Sequence, residues 1–120
     1  MKGDIALEIK PVLPSLREKK RYIAYEITAE KPLTFREVRT ELEKKMLQFL
    51  GELGYGKAGV MITDLWNDNR GIIRTNVKSV DQVKTALALV EKIGQQNVMI
   101  KTIGVSGILN KMKNKILKGG

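Results

Sequence analysis

The sequence predicts an α+β fold of the ferredoxin-like kind, in which elements in the order β-α-β-β-α-β form an antiparallel sheet. Three observations predict it. Within residues 58–77, two runs rich in β-branched and aromatic residues flank a short polar turn, the pattern of a β-hairpin. A strand pattern and a helix pattern precede this hairpin. A helix pattern and a strand pattern follow it, and a basic helical segment closes the chain.

The first strand is predicted over residues 22–27, where apolar side chains alternate. Ile23, Tyr25 and Ile27 share one face, which we expect to pack against the helices, and the side chains between them point to the open side of the sheet. Four of the five residues 17–21 are basic, and they lead directly into this strand. Before them, residues 5–9 alternate as in an edge strand, which two prolines would end quickly.

A long helix is predicted to follow. Thr34 and Glu37 have the spacing of a capping box, and Gly54 is suited to end the helix. Apolar residues then recur at steps of three and four, which predicts one buried face. Its members are Phe35, Val38, Leu42, Met46, Phe49 and Leu53.

The glycines at 54, 56 and 59 match the dinucleotide-binding pattern G-x-G-x-x-G as a string. That pattern binds pyrophosphate only where it joins a strand to the N-terminus of a following helix. Here it follows a helix and precedes a strand, so we interpret these residues as turn glycines.

The second helix is predicted to begin at a capping box formed by Ser79 and Gln82 and to end at Gly94. Residues 97–105 are the predicted last strand. Residues 108–118 are a predicted basic helix that could pack on the sheet, on a partner, or on a membrane surface. We expect one domain over residues 1–120, with a core at about 16–106 and a basic C-terminal segment at about 107–118.

Composition excludes several classes of function. The chain has no Cys and no His, which removes thiolate metal sites, the common zinc ligand and the usual general base. No apolar run approaches the ~18 residues of a membrane span, and no signal-peptide pattern begins the chain. We therefore expect a cytoplasmic protein that is not itself catalytic. The net charge of +9 favours a polyanionic partner.

The candidate cations form three groups: one before the first strand, one on the second hairpin strand, and one in the last twenty residues, which carry five lysines and no acid. Arg70 and Arg74 share a strand face with Asn76, an arrangement suited to phosphates and base edges. Ion pairing of these arginines with Glu26 or Asp64 is an equally weighted alternative. The candidate nucleic-acid contacts are Arg17, Lys19, Lys20, Arg21, Arg70, Arg74, Asn76, Lys101, Lys111, Lys113, Lys115 and Lys118.

Three stretches, residues 16–27, 66–74 and 102–107, together resemble the archaeal and eukaryotic family of ribonuclease P protein component 2, the Pop-type subunit. The likeness runs from about residue 13 to residue 111. It implies an RRM-like α/β sandwich and a protein cofactor of the catalytic RNA that removes the 5′ leader of precursor tRNA.

The resemblance also implies the partners. The RNA, not the protein, would hold the Mg²⁺ ions, and the protein would bind no cofactor. The protein partners would be ribonuclease P protein component 3, a TIM-barrel-like protein, and other ribonuclease P subunits, with a homodimer of this subunit at the centre of a heterotetramer. The third strand, residues 70–77, lacks the aromatic residues on which an RRM stacks bases. We therefore expect recognition of phosphates and RNA shape.

Two alternatives remain at this point. One is a small-molecule sensor domain of the same topology, which would bind a metabolite at a dimer interface. The other is a small hydrolase of the acylphosphatase kind, which needs a phosphate-binding loop before a helix, and the sequence offers no Gly-rich loop in that position.

Overall fold

The computed structural model describes residues 19–117. The alternating residues 5–9 and two predicted RNA contacts, Arg17 and Lys118, lie outside this range. The order β-α-β-β-α-β is confirmed, with one short hairpin added before the last strand. The elements are β1 (Lys20–Thr28), α1 (Phe35–Ala58), β2 (Met61–Asn67), β3 (Arg70–Asn76), α2 (Val80–Ala88), β4 (Lys92–Ile93), β5 (Gln96–Asn97), β6 (Met99–Ser106) and α3 (Leu109–Leu117).

The four long strands form one antiparallel sheet in the order β2-β3-β1-β6. The start of β1 therefore lies beside the ends of both β3 and β6. β2 and β3 join through Asp68 and Asn69, whose φ angles of 50° and 62° place both in the left-handed region. Asn and Asp tolerate this conformation better than other non-glycine residues, so the predicted hairpin turn is confirmed.

One face of the sheet carries the main core. Ile23 and Tyr25 are fully buried there, and Ile27 is nearly so, as the alternation predicted. They pack against the apolar faces of the two helices that connect the strands. The helix side chains in this layer are Val38, Leu42 and Met46 of α1 and Val83, Ala86 and Leu87 of α2.

The opposite face is covered by α3. Met112 and Ile116 bury Ala24 and Ile72 completely, so the expectation of an open side is wrong for the middle of the sheet. Of the three positions considered for the basic helix, the structure shows packing on the sheet. Gly104 in β6 permits this close approach, because a Cβ there would lie 3.2 Å from the sulfur of Met112.

Helix α1 begins as predicted, with both hydrogen bonds of the capping box between Thr34 and Glu37 in place. Its predicted end at Gly54 is wrong. Gly51 interrupts the helix with φ 75°, and the chain resumes helical geometry as far as Ala58, where Gly59 caps it with φ 62°. The glycines at 54 and 56 are therefore helical, not turn residues.

The interruption changes the outward face of α1. Phe49 is 43% exposed and Leu53 is 72% exposed, although the periodicity predicts both to be buried. Gly51 breaks the helix before Leu53, so the spacing no longer keeps Leu53 on the buried face. Phe49 precedes the break, and nothing in the structure explains its exposure.

Helix α2 also differs from expectation. Ser79 makes no side-chain capping bond, because a short 3-10 turn, Val77–Ser79, runs directly into the helix. The helix ends at Ala88, not before Gly94, because residues 92–97 form the hairpin of β4 and β5. Gly94, with φ 62°, lies in the turn of that hairpin, and the last long strand begins at Met99.

None of the helices within residues 19–117 combines the length and the apolar character that crossing a membrane requires.

Candidate nucleic-acid interface

Cations from separate parts of the chain meet where β1 begins and where β3 and β6 end. We call this surface the basic end, and its members are Lys19, Lys20, Arg21, Lys57, Arg74 and Lys78. Antiparallel pairing brings them together, and the backbone bond from the Val77 N–H to the Lys19 carbonyl, 2.9 Å, holds the two strand ends in register. None of residues 19–22, 56–60, 74–80 or 104–109 is acidic. The field at this end of the sheet is therefore positive.

The C-terminus of α1 is tied to the same end by two side chains of β3. Thr75 Oγ1 donates to the Ala58 carbonyl at 2.9 Å, and Asn76 Nδ2 donates to the Lys57 carbonyl at 2.7 Å. These bonds occupy carbonyls that the helix leaves without an internal partner. Lys20 Nζ donates to Asn76 Oδ1, which places a cation at the negative end of the helix dipole.

This geometry gives Asn76 a structural position. Its side chain is fully buried and bonded at both ends, to Lys20 and to the Lys57 carbonyl. The sequence singles the residue out as an RNA contact because it shares a strand with Arg74, and spacing alone does not reveal such burial.

Arg21 extends the basic end toward β6. Its Nη1 donates to the Lys20 carbonyl at 3.0 Å, and a Cβ at Gly107 would lie 3.2 Å from the same nitrogen. The absence of a side chain at Gly107 therefore leaves room for the guanidinium beside the end of β6.

The two arginines of β3 have different surroundings. Arg70 Nε donates to Glu26 Oε2 at 3.0 Å, and the Arg70 side chain is only 15% exposed. Lys101 Nζ lies 3.5 Å from the other oxygen of the same carboxylate. Glu26 thus pairs with one cation on each neighbouring strand, and the ion-pair alternative holds for Arg70.

Arg74 has no such partner. It makes no hydrogen bond or ion pair within residues 19–117, and its Nε is buried and unbonded. Its terminal nitrogens also have no partner there, but unlike Nε they are exposed to solvent. Its cross-strand neighbours are Tyr22 on β1 and Met61 on β2.

The three lysines of α3 differ in exposure. Lys111 is exposed, whereas Lys113 and Lys115 are half-buried. The Lys115 stem lies over β6, where a Cβ at Gly104 would be 3.3 Å from its Cδ. Because α3 begins just beyond the end of β6, Lys111 in its first turn extends the positive surface from the basic end.

Two members of the basic end, Lys57 and Lys78, are not among the contacts predicted from the sequence. Lys57 stands within the glycine string, and Lys78 follows the third strand. The predicted topology contains the signal that could have found them. In an antiparallel ferredoxin-like sheet, the end of the third strand and the end of the first helix both lie beside the start of the first strand.

Comparisons with known proteins give the family. Residues 21–117 match the model of the Rpp14/Pop5 family. Ribonuclease P protein component 2 of Archaeoglobus fulgidus is 37% identical, with 92% of this chain and 99% of that protein covered. The Methanocaldococcus jannaschii protein of the same name is 37% identical over 91% of this chain and 81% of its own length.

A third relative agrees with this family, and one solved structure has a similar fold. Component 2 of Pyrococcus horikoshii is 34% identical over 92% of each chain. A chain in the cryo-EM structure of yeast ribonuclease MRP has a TM-score of 0.56 and 15% identity, covering 85% of this chain and 88% of that one, which supports the fold. These matches favour the ribonuclease P prediction over the sensor domain and the small hydrolase. The chain belongs to the Rpp14/Pop5 family of ribonuclease P protein subunits.

Proposed function

We propose that this subunit is not catalytic and that its basic end lowers the repulsion between phosphates of the ribonuclease P RNA. The RNA then folds its active site, holds Mg²⁺ and removes the 5′ leader of precursor tRNA. The observation that carries the proposal is the convergence of cations from two strand ends and a helix end, with no acid in residues 19–22, 56–60, 74–80 and 104–109. A polyanion with condensed counterions binds such a surface by releasing them.

The sheet itself contributes little to base recognition in this proposal. An RRM stacks bases on aromatic side chains of its open face. Here α3 covers that face at Ala24 and Ile72, neither of which is aromatic. RNA is therefore bound mainly through its phosphates and its shape.

The partner proteins are part of the same proposal. The subunit assembles with ribonuclease P protein component 3 and further subunits, with two copies at the centre of a heterotetramer. Exposed apolar side chains of α1, Phe49 and Leu53, support protein contacts, because water-exposed groups of this size gain free energy on burial. The complex works in the cytoplasm, and the Mg²⁺ ions bind to the RNA and to no site on this chain.

The test is reconstituted cleavage of precursor tRNA at several Mg²⁺ concentrations. One variant replaces Lys19, Arg21, Lys57 and Lys78 by Gln, and the matched control replaces Lys31, Arg36, Lys84 and Lys92, which are exposed elsewhere. Lys20 is kept because it bonds Asn76.

We expect the basic-end variant to need more Mg²⁺ for half-maximal cleavage. Its salt slope of RNA binding should fall by roughly 0.7 to 0.9 for each phosphate that the variant no longer neutralises. The control should behave as the natural protein. Equal Mg²⁺ requirements for the two variants would contradict the proposal, as would cleavage by the protein without RNA.

A further inference from the structure

We propose that Arg74 is a binding site for the phosphate of one unpaired nucleotide of RNA, with Tyr22 and Met61 contacting the sugar or base of that nucleotide. This inference rests on the proposed function and names one site within it. It follows from the difference between the two arginines of β3, from the course of α3, and from the neighbours of Arg74.

The first step concerns the unpaired guanidinium. Buried polar atoms in folded proteins are almost always hydrogen-bonded, and a buried donor without a partner destabilises the fold. Arg70 satisfies this rule through Glu26, whereas Arg74 Nε is buried without a partner in the described part of the chain. The terminal nitrogens remain as the donors that a ligand can reach. Such a guanidinium can bind a phosphate with two parallel hydrogen bonds.

The second step concerns access. Helix α3 starts beyond the end of β6, at one edge of the sheet. Near its other end, the Ile116 carbonyl accepts a bond from Asn67 Nδ2, at 2.9 Å, on the opposite edge strand and at the hairpin. The helix therefore crosses the sheet diagonally. It leaves uncovered the corner where β2 begins and β3 ends, which holds Met61 and Arg74, and Met61 is 46% exposed.

The third step concerns what surrounds the guanidinium. Tyr22 pairs with Arg74 on β1, and Met61 pairs with it on β2, so an aromatic and an aliphatic side chain flank the cation on the same face. This combination suits a nucleotide whose base is not stacked in a duplex, since bases inside an A-form helix present only their edges.

The positive charge near Arg74 favours a ligand that carries several negative charges. Lys20, Arg21 and Lys78 belong to the same end of the sheet, and residues 19–22 and 74–80 contain no acid. A phosphodiester chain that continues beyond the bound nucleotide meets these cations in turn.

The experiment measures the affinity of the full-length protein for two RNAs by fluorescence anisotropy: an unstructured strand of ~12 nucleotides and a duplex containing the same strand. The variants are Arg74→Gln and Arg74→Lys. Arg36→Gln is the matched control, because it removes one exposed arginine from α1 on the other side of the sheet.

We expect Arg74→Gln to weaken binding of the single strand about tenfold, which is typical for loss of hydrogen bonds to a charged group. Arg74→Lys keeps the charge but not the fork of donors, so it should lose affinity to an intermediate degree. Arg36→Gln should change affinity by less than about twofold, through the net charge alone. Binding of the duplex should respond equally to Arg74→Gln and Arg36→Gln.

Two further readouts locate the contact. In a protein with ¹⁵N-labelled arginine, the Nε–H resonance of Arg74 should shift when the single strand is added. Photo-methionine at Met61 should crosslink to the single strand and not to the duplex.

The outcomes separate the site from the function. If the natural protein binds neither RNA at physiological salt, the proposed function fails. If it binds the single strand but Arg74→Gln matches Arg36→Gln, or if the duplex loses as much affinity as the single strand, the Arg74 site is overturned and the basic end still stands. An Arg74 resonance that moves only when a partner protein subunit is added would also overturn it, in favour of a protein carboxylate.

Discussion

The hydroxyl of Tyr25 lies directly against the Cα of Gly71, its cross-strand partner on β3. A Cβ at Gly71 would overlap the hydroxyl and come within 2.6 Å of the ring carbon that carries it. Tyr25 is fully buried, and its hydroxyl has no hydrogen-bond partner in the described part of the chain. The pairing of β1 with β3 at this point therefore requires glycine at position 71, because a larger residue would collide with the buried Tyr25 side chain.

Replacing Gly71 by Ala should lower the free energy of unfolding by about 1–3 kcal/mol, because the new methyl group forces the buried ring to move. Tyr25→Phe in the same chain should restore part of this loss by removing the hydroxyl. The control is Gly56→Ala, at a helical position with no atom within 4 Å of the new Cβ, where stability should rise by about 0.5–1 kcal/mol. Urea denaturation measures all three, and an unchanged midpoint for Gly71→Ala would refute the steric account.

Stability should decline at high pH because of Tyr25. Burial raises the pKa of its hydroxyl well above the ordinary value of 10.0, so the folded state holds the proton more strongly than the unfolded chain. The contribution of this group is fully present below about pH 10 and is lost as pH rises beyond it. Urea titrations at pH 8 and pH 11 should show a smaller decline for Tyr25→Phe than for the natural protein. A decline of equal size in both would show that other groups govern the alkaline limit.

Removing the charge of Glu26 should leave Arg70 unpaired at a largely buried position. We expect Glu26→Gln to lower the free energy of unfolding by about 1–2 kcal/mol, between the values typical of exposed and of buried pairs. The matched control is Glu43→Gln, which breaks the exposed pair with Arg39 on α1 and should cost less than about 0.5 kcal/mol. Thermal unfolding at low and high salt would distinguish them, and equal effects would show that Arg70 finds water or another acceptor.

Helix α3 should depend on Met112 for its position on the sheet. Met112→Ala opens a cavity above Ala24 and Ile72 and should cost about 2–3 kcal/mol. Trypsin should then cut faster after Lys111 and Lys113. Leu117→Ala is the control, since that side chain is 64% exposed and its loss should leave both stability and cleavage nearly unchanged. Slow proteolysis of the Met112 variant would mean that other contacts hold the helix.

The fold could be predicted where a short-range pattern decides the structure. Alternation placed Ile23, Tyr25 and Ile27 on the core face, and the capping box placed the start of α1. The end of α1 could not be found in the same way. Glycines at 51, 54 and 56 all look like weak helix formers in sequence, and only packing decides that the chain adopts a positive φ at Gly51 and continues.

The candidate site could be predicted only where a short-range sequence pattern marks it. Clusters of cations near the first strand are visible in the sequence, whereas their partners depend on register. A bulge in β6 between the partners of Ala24 and Tyr25 shifts the pairing, so that Glu26 faces Lys101 where regular pairing would place Thr102. That one-residue shift places Lys101 opposite Glu26, and no local sequence pattern predicts a bulge at this position.

The oblique course of α3 connects the two outer strands of the four-stranded sheet that the structure describes. Its Met112 rests on Gly104 of β6, and its Ile116 carbonyl is held by Asn67 of β2. We expect these two contacts to resist the separation of either outer strand from the sheet. Fraying at one edge should loosen α3 and, through it, the opposite edge, so that the sheet opens as a unit.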